Sequence, residues 1–136
     1  MAEFKLVLSR KDGKSFQKVV KDAPIFLKKK ITDKIDGKEI GMDGYELEIT
    51  GGSDKCGFPM RKGIQQKRQK IILEGKTVGF NGKNRNKNKQ KGLKRKKTVC
   101  GELIDGSIVQ INLKILKEGK EKLGEEKKPE EKKEEK

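Results

Sequence analysis

Apolar residues occupy every second position in several short segments of the chain, and this period of two predicts β-strands with one buried face. The pattern is clearest in residues 3–9, where Phe4, Leu6 and Leu8 share one face, and it recurs in residues 45–50. Further strands are predicted at residues 15–20, 71–73, 77–80, 98–104 and 107–116.

Two Asp-Gly pairs predict tight turns between neighbouring strands. Asp12-Gly13 lies between the first two predicted strands and indicates a hairpin. Asp105-Gly106 lies between the last two and indicates a second hairpin. Each turn would join two antiparallel strands directly.

The segment after the first hairpin has a weaker pattern. Asp22 followed by Pro24 is typical of a helix N-cap and first turn, so a short helix from Ile25 is predicted. Residues 31–35 could equally be extended. Five to seven short strands with one or two short helices favour a mainly β fold, either a small antiparallel β-barrel or a strongly curved sheet.

The composition limits the size of the core. Hydrophobic residues make up 30% of the chain and charged residues 42%, whereas an ordinary domain has about 45–50% and 25%. Some of the chain must therefore be solvated or lie against a polyanion. No run approaches the roughly 20 apolar residues of a membrane span. The N-terminus also lacks the apolar segment of a signal peptide, so a cytoplasmic location is expected.

The net charge of +15 is concentrated in one stretch. Residues 61–97 contain fifteen Lys or Arg and a single acid, Glu74, whereas residues 120–136 contain seven Lys and seven Glu. We expect residues 1–119 to form one β-rich domain and residues 120–136 to be a solvated, fraying Lys/Glu tail. The clustered cations become favourable when a polyanion supplies the missing counter-charge.

Residues 81–97 are the most basic part of this stretch and contain one large apolar residue, Leu93. Alone in water they should form a disordered loop that contributes nothing to a core. Both ends are attached to predicted strands, and Asn and Gln among the cations can donate to phosphate oxygens and 2′-hydroxyls. The loop therefore predicts nucleic-acid binding through backbone and shape, because Phe58 and Phe80, the nearby aromatics, could both be core residues.

Catalytic chemistry has little support. The chain has no histidine, which excludes Ser-His and Cys-His nucleophile pairs and most zinc sites. Cys56 and Cys100 lack CxxC spacing and are expected to be reduced thiols. Asp54 is the only acid in the Gly-rich segment 51–63, and we expect its carboxylate to bind backbone N–H groups of a turn.

A possible phosphate-binding motif also fails. Gly75-Lys76-Thr77 resembles the end of a P-loop, but that motif needs glycine at the position of Lys70. These residues are expected to form a hairpin turn. The sequence thus predicts no enzyme, no cofactor and no bound metal.

The most distinctive run of the chain, which we call the signature loop, comprises Gly51, Gly52, Ser53, Asp54, Lys55, Cys56, Gly57, Phe58, Pro59 and Met60. It resembles the signature of a known family, the S6e small-subunit ribosomal proteins of archaea and eukaryotes. A second similarity is Arg95-Lys96-Lys97-Thr98-Val99 before Cys100-Gly101, although the family usually has Arg in place of Cys100. The order of elements also resembles the family from residue 3 to about residue 118.

The resemblance implies a partner and a role. The partner would be small-subunit rRNA with neighbouring ribosomal proteins, and the role would be subunit architecture and assembly in the cytoplasm. The short chain and the Lys/Glu tail look like an archaeal member. A DNA-compacting chromatin-type protein is the alternative, because both functions need a basic loop on a β scaffold.

Candidate RNA contacts lie in the signature loop, in residues 61–68 and in the basic loop of residues 81–97. In the signature loop, Phe58 and Met60 should plug the end of the barrel, and its glycines should let backbone approach phosphate. The candidate contacts are Lys55, Arg61, Lys62, Lys67, Arg68, Lys83, Arg85, Lys87, Lys89, Lys91, Lys94, Arg95, Lys96 and Lys97.

Overall fold

The computed structural model describes residues 3–21, 23–120 and 123. Within them the chain forms nine strands and two short 3-10 turns, Pro24–Phe26 and Gly37–Ile40. Most of the predicted tail lies outside the described residues. The strands are β1 (Glu3–Ser9), β2 (Ser15–Lys21), β3 (Lys34–Asp36), β4 (Glu46–Asp54), β5 (Arg68–Glu74), β6 (Lys76–Thr77), β7 (Phe80–Asn81), β8 (Lys94–Cys100) and β9 (Ile108–Lys117).

Five strands form one open sheet in the order β2-β1-β9-β4-β3. β1 and β2 form the predicted first hairpin, with Ser9 opposite Ser15. β9 lies in the centre, antiparallel to β4 and parallel to β1. The described strands do not close into a barrel, and the sheet is mixed, so the alternative of an antiparallel barrel is wrong. The mainly β class is confirmed, and the alternative of a strongly curved sheet stays a prediction. Alternation reveals which face of a strand is buried, but not which strand lies beside it.

The second predicted hairpin is also wrong. β8 pairs with β5, whereas β9 pairs with β1 and β4. Asp105-Gly106 still makes a turn, since the Ile108 N–H donates to the Asp105 carbonyl at 3.0 Å. Between β8 and this turn the chain binds other segments, with the Ile104 N–H donating to the Lys29 carbonyl at 2.9 Å. The turn therefore redirects the chain without pairing its flanking strands.

The predicted helix is reduced to the 3-10 turn Pro24–Phe26. Its N-cap is Ala23, which supplies no side-chain bond, and the predicted cap Asp22 lies outside the described residues. The turn ends at Leu27 in an extended conformation. The extended alternative for residues 31–35 is confirmed in part by β3.

Two apolar clusters stabilise the fold. The larger covers one face of the five-stranded sheet and includes Leu6, Ile111 and Leu113, each fully buried. Removing such side chains from water contributes roughly 1.5–3 kcal/mol each. The smaller cluster lies at the β5–β8 pair, outside the main sheet, and consists of Ile64, Leu73, Phe80 and Val99.

Candidate nucleic-acid interface

The antiparallel pair β5–β8, which we call the ribbon, forms a two-stranded sheet separate from the main sheet and carries part of the basic segment. Its register places Leu73 opposite Arg95 and Ile72 opposite Lys96. Side chains directly opposite each other share a face. Leu73 packs in the smaller cluster, so its face is the covered face, whereas Ile72 is 69% exposed on the open face.

The basic residues therefore divide between two faces of the ribbon. Lys94 and Lys96 lie on the open face with Lys70 and Ile72, and Arg95 and Lys97 lie on the covered face. All four cations of β8 are nevertheless solvent-exposed. Each strand of the ribbon spans seven residues, roughly 24 Å at 3.4 Å per residue.

Residues 75–93, which we call the tip loop, connect the two strands and have a defined geometry. Lys76 pairs with Asn81 in the hairpin formed by β6 and β7. The turn of this hairpin is residues 78–79, so the expectation that Gly75-Lys76-Thr77 forms the turn itself is wrong. Further along, the Asn84 side chain accepts from the N–H groups of Asn86 and Asn88, both at 3.0 Å. The Asn84 side chain thus stabilises a local turn, a role that the net charge of the segment does not reveal.

Two expectations for residues 81–97 are corrected. The last four residues belong to β8, which begins at Lys94 rather than at Thr98. Leu93 packs, partly buried, against the smaller cluster that contains Phe80. The segment thus combines a strand with a structured loop and contributes one side chain to a core.

Few of the Lys and Arg side chains in residues 61–97 have acidic partners. Among the described residues, three of them form ion pairs, namely Lys67 with Asp105 at 2.7 Å, Lys94 with Glu74 at 3.5 Å, and Arg68 with Asp54. Lys83, Arg85, Lys87, Lys89 and Lys91 are exposed on the tip loop. The tip loop therefore presents cations whose charge the described acids do not balance.

Asp54 is the structural centre of the signature loop. One carboxylate oxygen, Oδ1, accepts from the N–H groups of Cys56 at 2.8 Å and Phe58 at 3.0 Å. This confirms the expected bonding to backbone N–H groups of a turn. Asp54 is 4% exposed, and it is the one buried charged residue in the described part of the chain.

The second oxygen, Oδ2, joins the signature loop to the ribbon. It accepts from the Arg68 guanidinium, with Nη2 at 2.6 Å, and from the Cys100 thiol, with Sγ at 3.2 Å. Burial alone would raise the pKa of Asp54, but the hydrogen bonds from Cys100, Phe58, Arg68 and Cys56 lower it below its usual value. Asp54 is therefore held as a carboxylate.

Other signature residues have packing roles. Met60 is buried in the larger cluster and Phe58 packs against it, although the strands that the structure describes form no barrel for them to plug. A Cβ at Gly52 would lie 2.3 Å from the Gln110 carbonyl oxygen, so this glycine permits close strand packing. Gly57 has a φ of +86°, which the turn requires. The remaining loop residues Gly51, Ser53, Lys55, Cys56 and Pro59 lie at least partly at the surface.

The predicted contact residues differ in availability. Lys55 and Lys62 are exposed, whereas Arg61 is half-buried and donates through Nη1 to the Val78 carbonyl at 3.2 Å. The guanidinium of Arg68 lies over the Phe58 ring, 5.2 Å from its centroid, and binds Asp54.

Two exposed lysines of this region, Lys70 and Lys76, were not among the predicted contacts. The alternation within β5 could have placed Lys70 beside Ile72, and the failed P-loop motif contained Lys76.

Two kinds of feature were not found among the described residues, a cluster of metal-ligating side chains and a membrane-spanning helix. They contain no group of three or more Cys, Asp or Glu side chains arranged to hold a metal ion. No helix among them has the length and apolar character to cross a membrane.

Comparisons with known proteins identify the family. The family model described as ribosomal protein S6e matches residues 4–127. The small ribosomal subunit protein eS6 of Methanocaldococcus jannaschii is 40% identical over 118 residues, 87% of this chain and 85% of the relative.

Two other archaeal proteins agree. The eS6 protein of Nanoarchaeum equitans is 42% identical, covering 86% of this chain and 83% of its own. That of Archaeoglobus fulgidus is 40% identical, covering 89% and 92%. These relatives are ribosomal proteins and not enzymes. The chain therefore belongs to the ribosomal protein S6e family.

Proposed function

We propose that the chain is a structural constituent of the small ribosomal subunit that binds rRNA through the ribbon and the tip loop. The observation that carries this proposal is the placement of the charge. Fifteen Lys or Arg in residues 61–97 lie largely on the ribbon and the tip loop, whose strands form sheets separate from the five-stranded sheet. The relatives named as small ribosomal subunit proteins support the choice of rRNA as the polyanion. The cytoplasmic ribosome would be the location, with ribosomal proteins as neighbours.

The side chains favour contact with the RNA backbone. Phe80 is 7% exposed within the smaller cluster, and Phe58 lies under Arg68, so neither ring is free to stack on a base. Lys, Arg, Asn and Gln of the tip loop can donate to phosphates and 2′-hydroxyls. If about eight phosphates are neutralised, the log of the binding constant should fall by roughly six to seven units per tenfold rise in salt.

The signature loop would add further contacts to the same RNA. Lys55 and Lys62 are exposed near the attachment of the ribbon, and Arg61 is half-buried. The Cys100 N–H donates to the Pro59 carbonyl at 2.8 Å, and the Arg61 N–H donates to the Cys100 carbonyl at 3.1 Å. The loop is thereby attached to the end of β8. Lys55 and Lys62 would bind phosphates that flank the main contact.

Substitution of charge tests the proposal better than deletion, because removing residues 81–94 would also remove Leu93 and the first residue of β8. The test variant changes Lys83, Lys87, Lys89 and Lys91 to Gln. We expect it to lose most of its co-sedimentation with small subunits and to bind small-subunit rRNA with a markedly smaller salt slope, by about three units.

The matched control removes the same charge from the hairpin β1–β2 and from β3, by changing the exposed lysines Lys5, Lys11, Lys14 and Lys34 to Gln. It should sediment with small subunits nearly as the unchanged protein does. Equal losses in both variants would contradict the proposal. Preference of the unchanged protein for duplex DNA over rRNA at equal salt would favour the chromatin-type alternative instead.

A further inference from the structure

A cavity of about 790 Å³ opens beside the hairpin of the tip loop. Two parts of the tip loop form its walls, one from residues 75–83 and the other from residues 89–91. This size lies within the range of about 300–1,000 Å³ that is typical of ligand sites. The lining residues are Gly75, Lys76, Asn81, Gly82, Lys83, Lys89, Gln90 and Lys91.

The side chains that line the cavity are either basic or neutral. Four of the eight residues are lysines, and two others, Asn81 and Gln90, carry amides that can donate hydrogen bonds. The lining contains neither a carboxylate nor an aromatic ring. Glu74, the nearest acid in sequence, lies 3.5 Å from Lys94 of the ribbon, outside the lining. Four ammonium groups around one cavity repel each other unless an anion enters it.

Backbone contacts hold the walls in place. Lys76 pairs with Asn81 across the hairpin, and a β-bridge joins Lys83 to Lys89. Gly82 has a φ of +72°, and a Cβ there would lie 3.0 Å from the backbone of Gly75 and Lys76. The chain segments at the open end of the hairpin therefore approach closely where they line the cavity. Backbone pairing thus sets the backbone positions of Lys76, Lys83 and Lys89.

We infer that this cavity binds a cluster of two or more phosphate groups. A single phosphate would leave most of the lysine charge unbalanced, and a base would find no ring to stack on. The identity of the natural ligand rests on the proposed function. It would be a sharp turn of the RNA backbone, which brings several phosphates together. A free polyphosphate has the same chemistry and serves as the probe.

The test uses the full chain and titrates it with inorganic tripolyphosphate at low salt, with calorimetry as the readout. The cavity variant changes Lys76 and Lys89 to Gln, and the control changes Arg85 and Lys87, which lie on the same loop but outside the lining. Both variants lose two charges. We expect about a tenfold loss of affinity in the cavity variant and less than about a twofold loss in the control. Inorganic monophosphate should bind the unchanged protein at least about tenfold more weakly than tripolyphosphate.

Two results would contradict the inference. Equal losses in the two variants, or equal affinity for monophosphate and tripolyphosphate, would overturn it, because the contact would then depend on net charge alone. Thermal unfolding of each variant excludes misfolding as the cause, and the single variant K89Q repeats the comparison against R85Q if the double variant unfolds. Selective tripolyphosphate binding without rRNA binding by the unchanged protein would refute the proposed function and keep the cavity as a site for free polyanions.

Discussion

The carboxylate of Asp54 at the end of β4 and the guanidinium of Arg68 at the start of β5 form an ion pair, with Oδ2 and Nη2 2.6 Å apart. The Asp54 side chain is fully buried, whereas the Arg68 side chain is 40% exposed. This pair joins the five-stranded sheet to the ribbon. It therefore helps to hold the ribbon against the five-stranded sheet.

Replacement of Asp54 by Asn should destabilise the fold. The amide can still accept from the Cys56 and Phe58 N–H groups, but it loses the charge that binds Arg68. We expect a loss of about 1.5–3 kcal/mol in the free energy of unfolding by urea. The control, Asp105→Asn, removes a pair with the exposed Lys67 and should cost clearly less. Equal losses would argue against a special role for Asp54.

The same carboxylate should make stability depend on pH in acid. The pKa of Asp54 in the folded protein lies below its usual 3.8, since hydrogen bonds to the carboxylate outweigh its burial. The folded state therefore gives up this proton more readily than the unfolded state. The stabilisation is complete above the usual pKa and is lost as the pH falls through the folded pKa.

Thermal unfolding of the unchanged protein and D54N at several pH values measures this effect. The difference between their Tm values should be largest near neutral pH and should narrow toward about pH 3. A difference that stays constant over this range would show that the ionised carboxylate does not stabilise the fold.

Two adjacent glycines should respond differently to alanine. A Cβ at Gly52 would lie 2.3 Å from the Gln110 carbonyl oxygen and 3.0 Å from the Met60 sulfur, whereas a Cβ at Gly51 meets nothing within 4 Å. We expect G52A to destabilise the protein by about 1–3 kcal/mol through overpacking and G51A by much less. Urea unfolding measures both, and a G51A loss as large as that of G52A would contradict the packing argument.

The two faces of β8 should contribute unequally to RNA affinity. Lys94 and Lys96 lie on the open face beside the exposed Ile72, and Arg95 and Lys97 lie on the covered face. We expect K94Q/K96Q to weaken rRNA binding by about tenfold and R95Q/K97Q by less, in filter-binding measurements at one salt concentration. The variants lose the same charge, so equal effects would mean that the ribbon binds without a preferred face.

The two cysteines should differ in reactivity. Burial, together with the hydrogen bond to Asp54, raises the pKa of the Cys100 thiol to about 11, whereas Cys56 is exposed. Iodoacetamide at mildly alkaline pH should modify Cys56 in the folded protein and Cys100 only after unfolding, as read by peptide mass spectrometry. Rapid labelling of Cys100 without denaturant would show that its site opens readily.

The sequence predicted strand faces better than strand partners. Alternation in β1 and β4 identified Leu6 and Leu47 as core residues, and both are fully buried. It could not reveal that β9 lies parallel to β1, because the two strands are about a hundred residues apart and no local pattern records their pairing. β8 was placed too late in the chain, because its first four residues are all cations and conceal any alternation.

The candidate site was predicted unevenly for similar reasons. The turn role of Asp54 follows from its residue type and its Gly-rich surroundings. Its ion pair with Arg68 does not, since that contact depends on the arrangement of β4 relative to β5. The cavity in the tip loop depends on the bridge between Lys83 and Lys89, which composition cannot indicate.

The central position of β9 has a consequence for biosynthesis. This ten-residue strand lies between β1 and β4 and supplies Ile111, Leu113 and Ile115 to the core, yet it is the last strand of the described chain to be translated. In a nascent polypeptide, the hairpin β1–β2 therefore lacks its neighbouring strand β9 until residue 117 has left the ribosomal exit tunnel. Premature termination before β9 would release a chain with an unfinished sheet, and quality-control proteases would be expected to degrade it rapidly.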